Sequence, residues 1–186
     1  MRRCDGGGKM IAYKGFNKDL TCRGHKFSVS DVNVCEEANC VKNGFHCAEN
    51  PLDVLTYYPN MEESVYWLVL AEGDINEDGA DSKISCTELT LLQELTVEDF
   101  VWESLLYMAK HPGGAQNGIK ETAKADALPF AIARGKAPRV QGKLGAVLGA
   151  AVESPGRAGI VKIAAAVVDG ERLKPGVWYT AEELLL

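Results

Sequence analysis

Several things are missing from this sequence, and each absence removes a class of protein. None of its apolar runs reaches the ~18–20 residues that a helix needs to cross a bilayer, so no membrane partner is expected. No apolar stretch follows the charged start Met1-Arg-Arg-Cys-Asp5, so no secretory signal is read there. Residues 1–9 read as a flexible leader. Six cysteines in a chain without such a signal point to reduced thiols and a cytoplasmic setting. No C-x2-C pair is present. Cys35, Cys40, His46 and Cys47, with Cys22 and His25 upstream, have the residue types of a zinc site but not its spacing. Adjacent His46 and Cys47 point to opposite sides of an extended chain. The run Asp74-Ile-Asn-Glu-Asp-Gly79 opens like a calcium loop, yet its twelfth position is Ser85, where the bidentate carboxylate belongs. No metal and no cofactor are expected.

What is present is enough apolar material, 46%, for a real core. The net charge of −6 conceals an asymmetry. Up to His111 there are 10 basic and 19 acidic residues, a net of −9; after it there are 10 and 7, a net of +3. His111-Pro-Gly-Gly114 punctuates the chain between the two. The expected organisation is therefore an acidic α+β domain over 10–111, followed by a Gly/Ala-rich segment over 112–186.

In the acidic half, Met10–Phe16 reads as a strand, and Thr21–Val34 as one or two short strands. Asn43-Gly44 is a tight-turn dipeptide before Phe45–Ala48. Asn50-Pro51-Leu-Asp53 starts a helix, with Asn as cap and Pro in the first turn. Val65–Ala71 is apolar on both faces, like a central strand, and Lys83–Leu92 supplies another. Thr96-Val-Glu-Asp99 is a capping box. The stripe Phe100, Val101, Leu105, Met108 that follows has helical spacing and marks a core face.

Two resemblances attach to this half. Tyr13-x-Gly15, then Gly44-Phe-His46 leading to a helix that ends in Tyr57, is similar to ADP-ribosyltransferases, with Lys14 where that family has Arg or His. That resemblance implies Tyr13, His46, Glu88 and Glu94 as the catalytic candidates. More specifically, Tyr13-Lys-Gly-Phe16, Thr21-Cys-Arg-Gly24, Asn43-Gly-Phe-His46, Glu49-Asn-Pro-Leu-Asp-Val54 and Tyr57-Tyr-Pro59 together resemble a domain of unknown function carried by bacteriophages and prophages of gut bacteria. It spans about residues 10–105. It implies phage descent and names no activity.

The second half holds an unusual stretch, Phe130-Ala-Ile-Ala-Arg-Gly-Lys-Ala-Pro-Arg-Val-Gln-Gly-Lys-Leu-Gly-Ala-Val-Leu-Gly-Ala-Ala-Val-Glu153, with six Ala and four Gly. Small residues at alternate positions, with Gly at corners, suit a stacked β-roll whose coils approach closely. Gly135 and Gly149 suggest a fourteen-residue repeat. The pattern resembles the head repeats of trimeric autotransporter adhesins. So short a roll cannot bury its own face. A homotrimer is therefore expected, with Ala131, Ala133, Ala146 and Gly149 at its interface. Ala164–Val168 and Val177–Tyr179 read as a strand pair that covers the open end, and Thr180–Glu183 as a last helical turn. Lys120, Lys124, Arg134, Lys136, Arg139 and Lys143 form a basic stripe suited to an acidic protein surface or nucleic acid. Few aromatics interleave it, which disfavours single-strand stacking and direct nucleic-acid binding.

These readings favour a non-enzymatic binding protein of phage type that inhibits a host protein or nucleoprotein complex, such as a defence nuclease. A virion fibre or decoration protein and an ADP-ribosyltransferase-like enzyme are the alternatives from other classes.

Overall fold

A computed structural model of the chain describes residues 8–39, 43–77, 82–113, 119–156 and 159–186. Strand makes up 47% and helix 14%, the latter in three short helices among the described residues. The protein is therefore mostly β, and the expected α+β class is corrected. The chain forms two compact units, Met1–Leu95 and Thr96–Leu186. The Pro-Gly break at 112 was the expected border; it follows a helix that already belongs to the second unit.

The first unit contains β1 (Met10–Asn17), β2 (Thr21–Cys22), β3 (His25–Lys26), β4 (Asn33–Val34), β5 (Phe45–Ala48), α1 (Pro51–Val54), β6 (Ser64–Glu77) and β7 (Lys83–Glu94). Among the described residues its one helix has four residues, capped by Asn50, whose side chain accepts from the Leu52 N–H. The apolar runs around it are spent on strands instead. β1 pairs antiparallel with β5 and β6, and β7 pairs antiparallel with the same two. Four strands thus close into a small barrel. Closure needs strong bending, and β6 supplies it with a register shift between Glu72 and Ile75. Gly73 sits there at φ +76°, and a Cβ on it would fall 2.1 Å from Thr87 Oγ1.

Alternate residues of β1 face the interior. Ala12 and Phe16 join Phe45, Trp67, Val69, Ile84, Cys86 and Leu89 in the barrel core. Lys14, between them, is 3% exposed. Burying side chains such as Phe16 or Leu89 contributes about 1.5–3 kcal/mol each.

The second unit contains α2 (Val97–Lys110), β8 (Thr122–Ala125), β9 (Phe130–Gly135), β10 (Arg139–Gly142), β11 (Val147–Glu153), β12 (Ile160–Val167), β13 (Tyr179–Thr180) and α3 (Ala181–Leu185). β8 runs parallel to β10 and β9 parallel to β11. Two coils therefore stack with a 17-residue step, Thr122 against Arg139 and Phe130 against Val147. The fourteen-residue spacing of the glycines is not the repeat. A third layer follows in the reverse sense: β12 adds antiparallel to β11, and β13 antiparallel to β10. The expected strand pair is corrected here, because β12 and β13 lie in separate sheets.

Between the sheets lie Ala125, Ala131, Ala133, Val140, Ala146, Leu148, Ala150 and Ala164, closed off by Val168, Leu173, Tyr179 and Leu184. The small residues hold the layers close, and the larger ones come from the last part of the chain. On the other face of the β9–β11–β12 sheet lies α2. Its capping box joins Thr96 and Asp99, and it buries Phe100, Val101, Ser104, Leu105 and Met108. A Cβ on Gly149 would meet Val101 Cγ1 at 2.8 Å, so glycine is what lets this helix sit down. Among the described residues, no helix is long and apolar enough to cross a membrane.

Candidate binding surface

The structure brings two of the four catalytic candidates, Tyr13 and His46, to one face and places Glu88 and Glu94 elsewhere in the strand pairing. Tyr13 lies on β1 and points away from the barrel interior; it is 7% exposed. It pairs with Ala48 of β5, two residues beyond His46, so Tyr13 and His46 share the outer face of adjacent strands. Neither carboxylate joins them through strand pairing. Glu88 lies between Val34 and Glu72, and Glu94 lies opposite Trp67 near the end of β7. Both glutamates are exposed.

The glycine of the Tyr13-x-Gly15 motif has a packing role. A Cβ there would meet the Tyr58 ring at 2.5 Å. The ring packs beside Gly15, and its hydroxyl reaches Cys22. Burial is the main cause that pushes the Tyr58 hydroxyl above its ordinary range, with the Cys22 contact next. Cys22 Sγ in turn lies 3.7 Å from Lys14 Nζ. Lys14 donates to the His46 carbonyl at 2.7 Å and sits about 5 Å from the Phe16 and Phe27 rings. Deeper in the barrel, Cys47 hydrogen-bonds Cys86 and holds that thiol below its ordinary range, with the nearby Lys14 charge contributing.

Cys40 of the zinc-type set lies outside the described residues, as do residues 78–81 of the calcium-loop-like run and residues 1–7 of the leader. Asp74 to Glu77 belong to β6. Lys9, at the end of the leader, pairs with Glu72 at 2.6 Å. Among the described residues, no group of three or more His, Cys, Asp or Glu could hold a metal ion.

The four small residues expected at an oligomer interface are packed within one chain. Ala131, Ala133 and Ala146 are 4%, 0% and 1% exposed inside the roll. Gly149 is covered by α2. Their size serves the close approach of layers in a single chain, so packing alone gives them no need of a second.

The basic stripe divides. Arg134 is structural: its Nε donates to Glu153 at 2.7 Å and its Nη2 to the Pro112 carbonyl. The other five are exposed. Lys124 and Arg139 project from one surface, the outer face of the β8–β10–β13 sheet. Strand alternation puts Val140, Gly142 and Ala125 inward, and Thr122, Lys124, Arg139 and Gln141 outward. Arg139 pairs with Thr180 on the far side. Gln141 donates to the Gly176 carbonyl, which brings the exposed Val177 and Trp178 alongside. Lys136 and Lys143 flank β10 at its two ends. Asp126 is 3.6 Å from Lys124 and only partly offsets this charge.

Sequence reading missed Trp178. It lies far along the chain from the basic stretch, and only the return of the chain to pair with β10 places it there. The sequence signal for it was the adjacent pair Trp178-Tyr179 in an extended segment, where neighbouring side chains point to opposite faces.

Residues 10–103 match the family described as Domain of unknown function (DUF7666). The chain belongs to that family. The matched region covers every strand of the barrel and runs into α2. The roll lies beyond it. No curated protein and no solved structure matches the chain.

Proposed function

We propose that the protein works by binding, and that its contact surface is the outer face of the β8–β10–β13 sheet. The observation that carries this reading is the grouping on one open sheet of Lys124, Arg139 and Gln141 beside the exposed Trp178. A cationic face with one aromatic anchor suits an acidic patch on another protein. The charge guides approach, and the tryptophan supplies apolar area that a purely ionic contact lacks.

The finer reading follows from the resemblance of the first unit to phage-borne domains. Phage descent makes a host factor the natural target, and its inhibition the natural outcome. A defence nuclease complex is the class in view, on analogy with the roles of other small phage proteins and not on any feature of the site.

The test is affinity capture from a lysate of the host bacterium, with the natural chain and the variant Lys124→Glu/Arg139→Glu side by side. The reading predicts a host protein that the natural chain recovers and the variant does not, with recovery unchanged by nuclease treatment. Equal recovery by both proteins would move the contact elsewhere. Loss on nuclease treatment would make the ligand a nucleic acid.

A further inference from the structure

We infer that Lys14 and Cys22 form a covalent cross-link under peroxide, which makes the meeting point of β1 and the β2–β3 hairpin an oxidant-sensitive modification site. Three independent elements converge there. Lys14 comes from the inner face of β1 and is 3% exposed. Its Nζ is held at 2.7 Å by the His46 carbonyl and stands 3.7 Å from Cys22 Sγ. Among the described residues, no carboxylate forms an ion pair with it. Tyr58, which follows α1, also contacts Cys22 through its hydroxyl.

Cys22 is itself fixed by a tight turn. β2 and β3 pair as Cys22 with His25, and the two residues between, Arg23 and Gly24, have φ of 49° and 82°. Positive φ at both central positions is the geometry of a two-residue hairpin turn. This hairpin forms its own two-stranded sheet: among the described residues it has no strand pairing with the barrel, and Asn17 of β1 donates to the Thr21 hydroxyl at 2.9 Å. A bond from Cys22 to Lys14 would staple it to the barrel wall.

Among the described cysteines, access and partner together single out this pair. Cys47 and Cys86 are 5% and 0% exposed, out of reach of solution oxidants. Cys35 is half-buried like Cys22, but its thiol faces the carbonyls of Glu37, Cys86 and Thr87, with no amine.

The chemistry balances with one hydrogen peroxide. The Cys22 sulfur attacks one peroxide oxygen; an S–O bond forms, the O–O bond breaks and water leaves. Sulfur is oxidised by two electrons to the sulfenic acid, and the peroxide is reduced. Lys14 gives one ammonium proton to solvent, and its Nζ lone pair then attacks sulfur. An S–N bond forms and the S–OH bond breaks. The departing hydroxide takes a proton from nitrogen and leaves as a second water. Amine, thiol and peroxide thus give a sulfenamide and two waters.

The test treats the full chain with hydrogen peroxide, then digests it without reductant for mass spectrometry. The expected product is a peptide pair joined at Lys14 and Cys22, two hydrogens lighter than its separate parts. Tryptic cleavage after Lys14 should be lost, and dithiothreitol should restore it. Cys22→Ser should abolish the product, and Cys35→Ser should leave it intact. Oxidation should raise the melting temperature of the natural chain by several degrees, reversibly, and not that of Cys22→Ser. The inference is overturned if Cys22 accumulates as sulfinic or sulfonic acid, or in a disulfide, while Lys14 remains cleavable.

Discussion

Val147 lies beside Phe130 in parallel register, one coil later in the chain. The same step places Arg139 beside Thr122 in the facing sheet. Two sheets that share one step make a roll, and the roll decides which residues face inward and which face a partner. Gly149, next to Ile132 in this register, comes under α2, and Lys124 comes beside Gln141 on the open face.

Gly149→Val tests the helix-covered face. A Cβ at this position would stand 2.8 Å from Val101 Cγ1 and 3.2 Å from Ile132 Cγ1, and valine adds two more carbons. Such overpacking costs about 1–3 kcal/mol. Urea denaturation should show the second unit melting earlier, while the barrel transition keeps its midpoint. An unchanged transition for the second unit would mean that α2 does not rest there.

Ala146→Glu tests where the small residues are buried. Ala146 is 1% exposed within the roll, so a carboxylate there would be unpaired and desolvated, at a cost of about 3–5 kcal/mol or more. Circular dichroism should show the second unit largely unfolded at neutral pH. A variant that keeps its fold but changes from a larger to a smaller particle by light scattering would instead return Ala146 to a chain-to-chain interface.

Thr96 caps α2: its hydroxyl accepts from the Asp99 N–H at 3.1 Å, and Asp99 accepts from the Thr96 N–H at 3.0 Å. Thr96→Ala should destabilise the second unit by about 1 kcal/mol. Thr96→Asn, which keeps a capping oxygen, should recover most of that loss. Equal loss in both variants would show that the cap is not what matters there.

Acid should weaken the loop after β12. Asp169 accepts the backbone N–H groups of Glu171 and Leu173 at 2.8 and 3.0 Å. The Leu173 bond is the largest cause that lowers its carboxyl below the usual range, followed by the Glu171 bond. A lowered folded value means that the stabilisation is present above the unfolded value, about 3.9. It is lost as pH falls through the folded value. Asp169→Asn should flatten the loss of stability below about pH 4 in an acid titration monitored by circular dichroism. The same acid dependence in both proteins would remove Asp169 from the account.

Local signals in the sequence were legible where one residue type has one physical use. Asn50 before Pro51, and Thr96 with Asp99, cap helices as their chemistry dictates. Thr180 with Glu183 does the same for α3. The two positions of the Asn43-Gly44 turn precede β5, with Gly44 at φ +93°. Closure was not legible. The second partner of β7, which seals the barrel, depends on a bend at Gly73 that no periodicity announces. The 17-residue step was hidden because Gly135, at the end of β9, and Gly149, within β11, do not sit at corners or at equivalent positions in the coils. Of the six cations proposed for binding, Arg134 has the same sequence character as Arg139. Only its contacts with Glu153 and Pro112 separate a structural arginine from a surface one.

The central claim is that the outer face of the β8–β10–β13 sheet contacts the partner. Hydrogen–deuterium exchange on the captured complex, compared with the free chain, tests it most directly. The account predicts slowed exchange over residues 122–125, 139–142 and 176–180, with the barrel strands unchanged. Protection confined to residues 10–95, with that sheet exchanging as in the free protein, would contradict it.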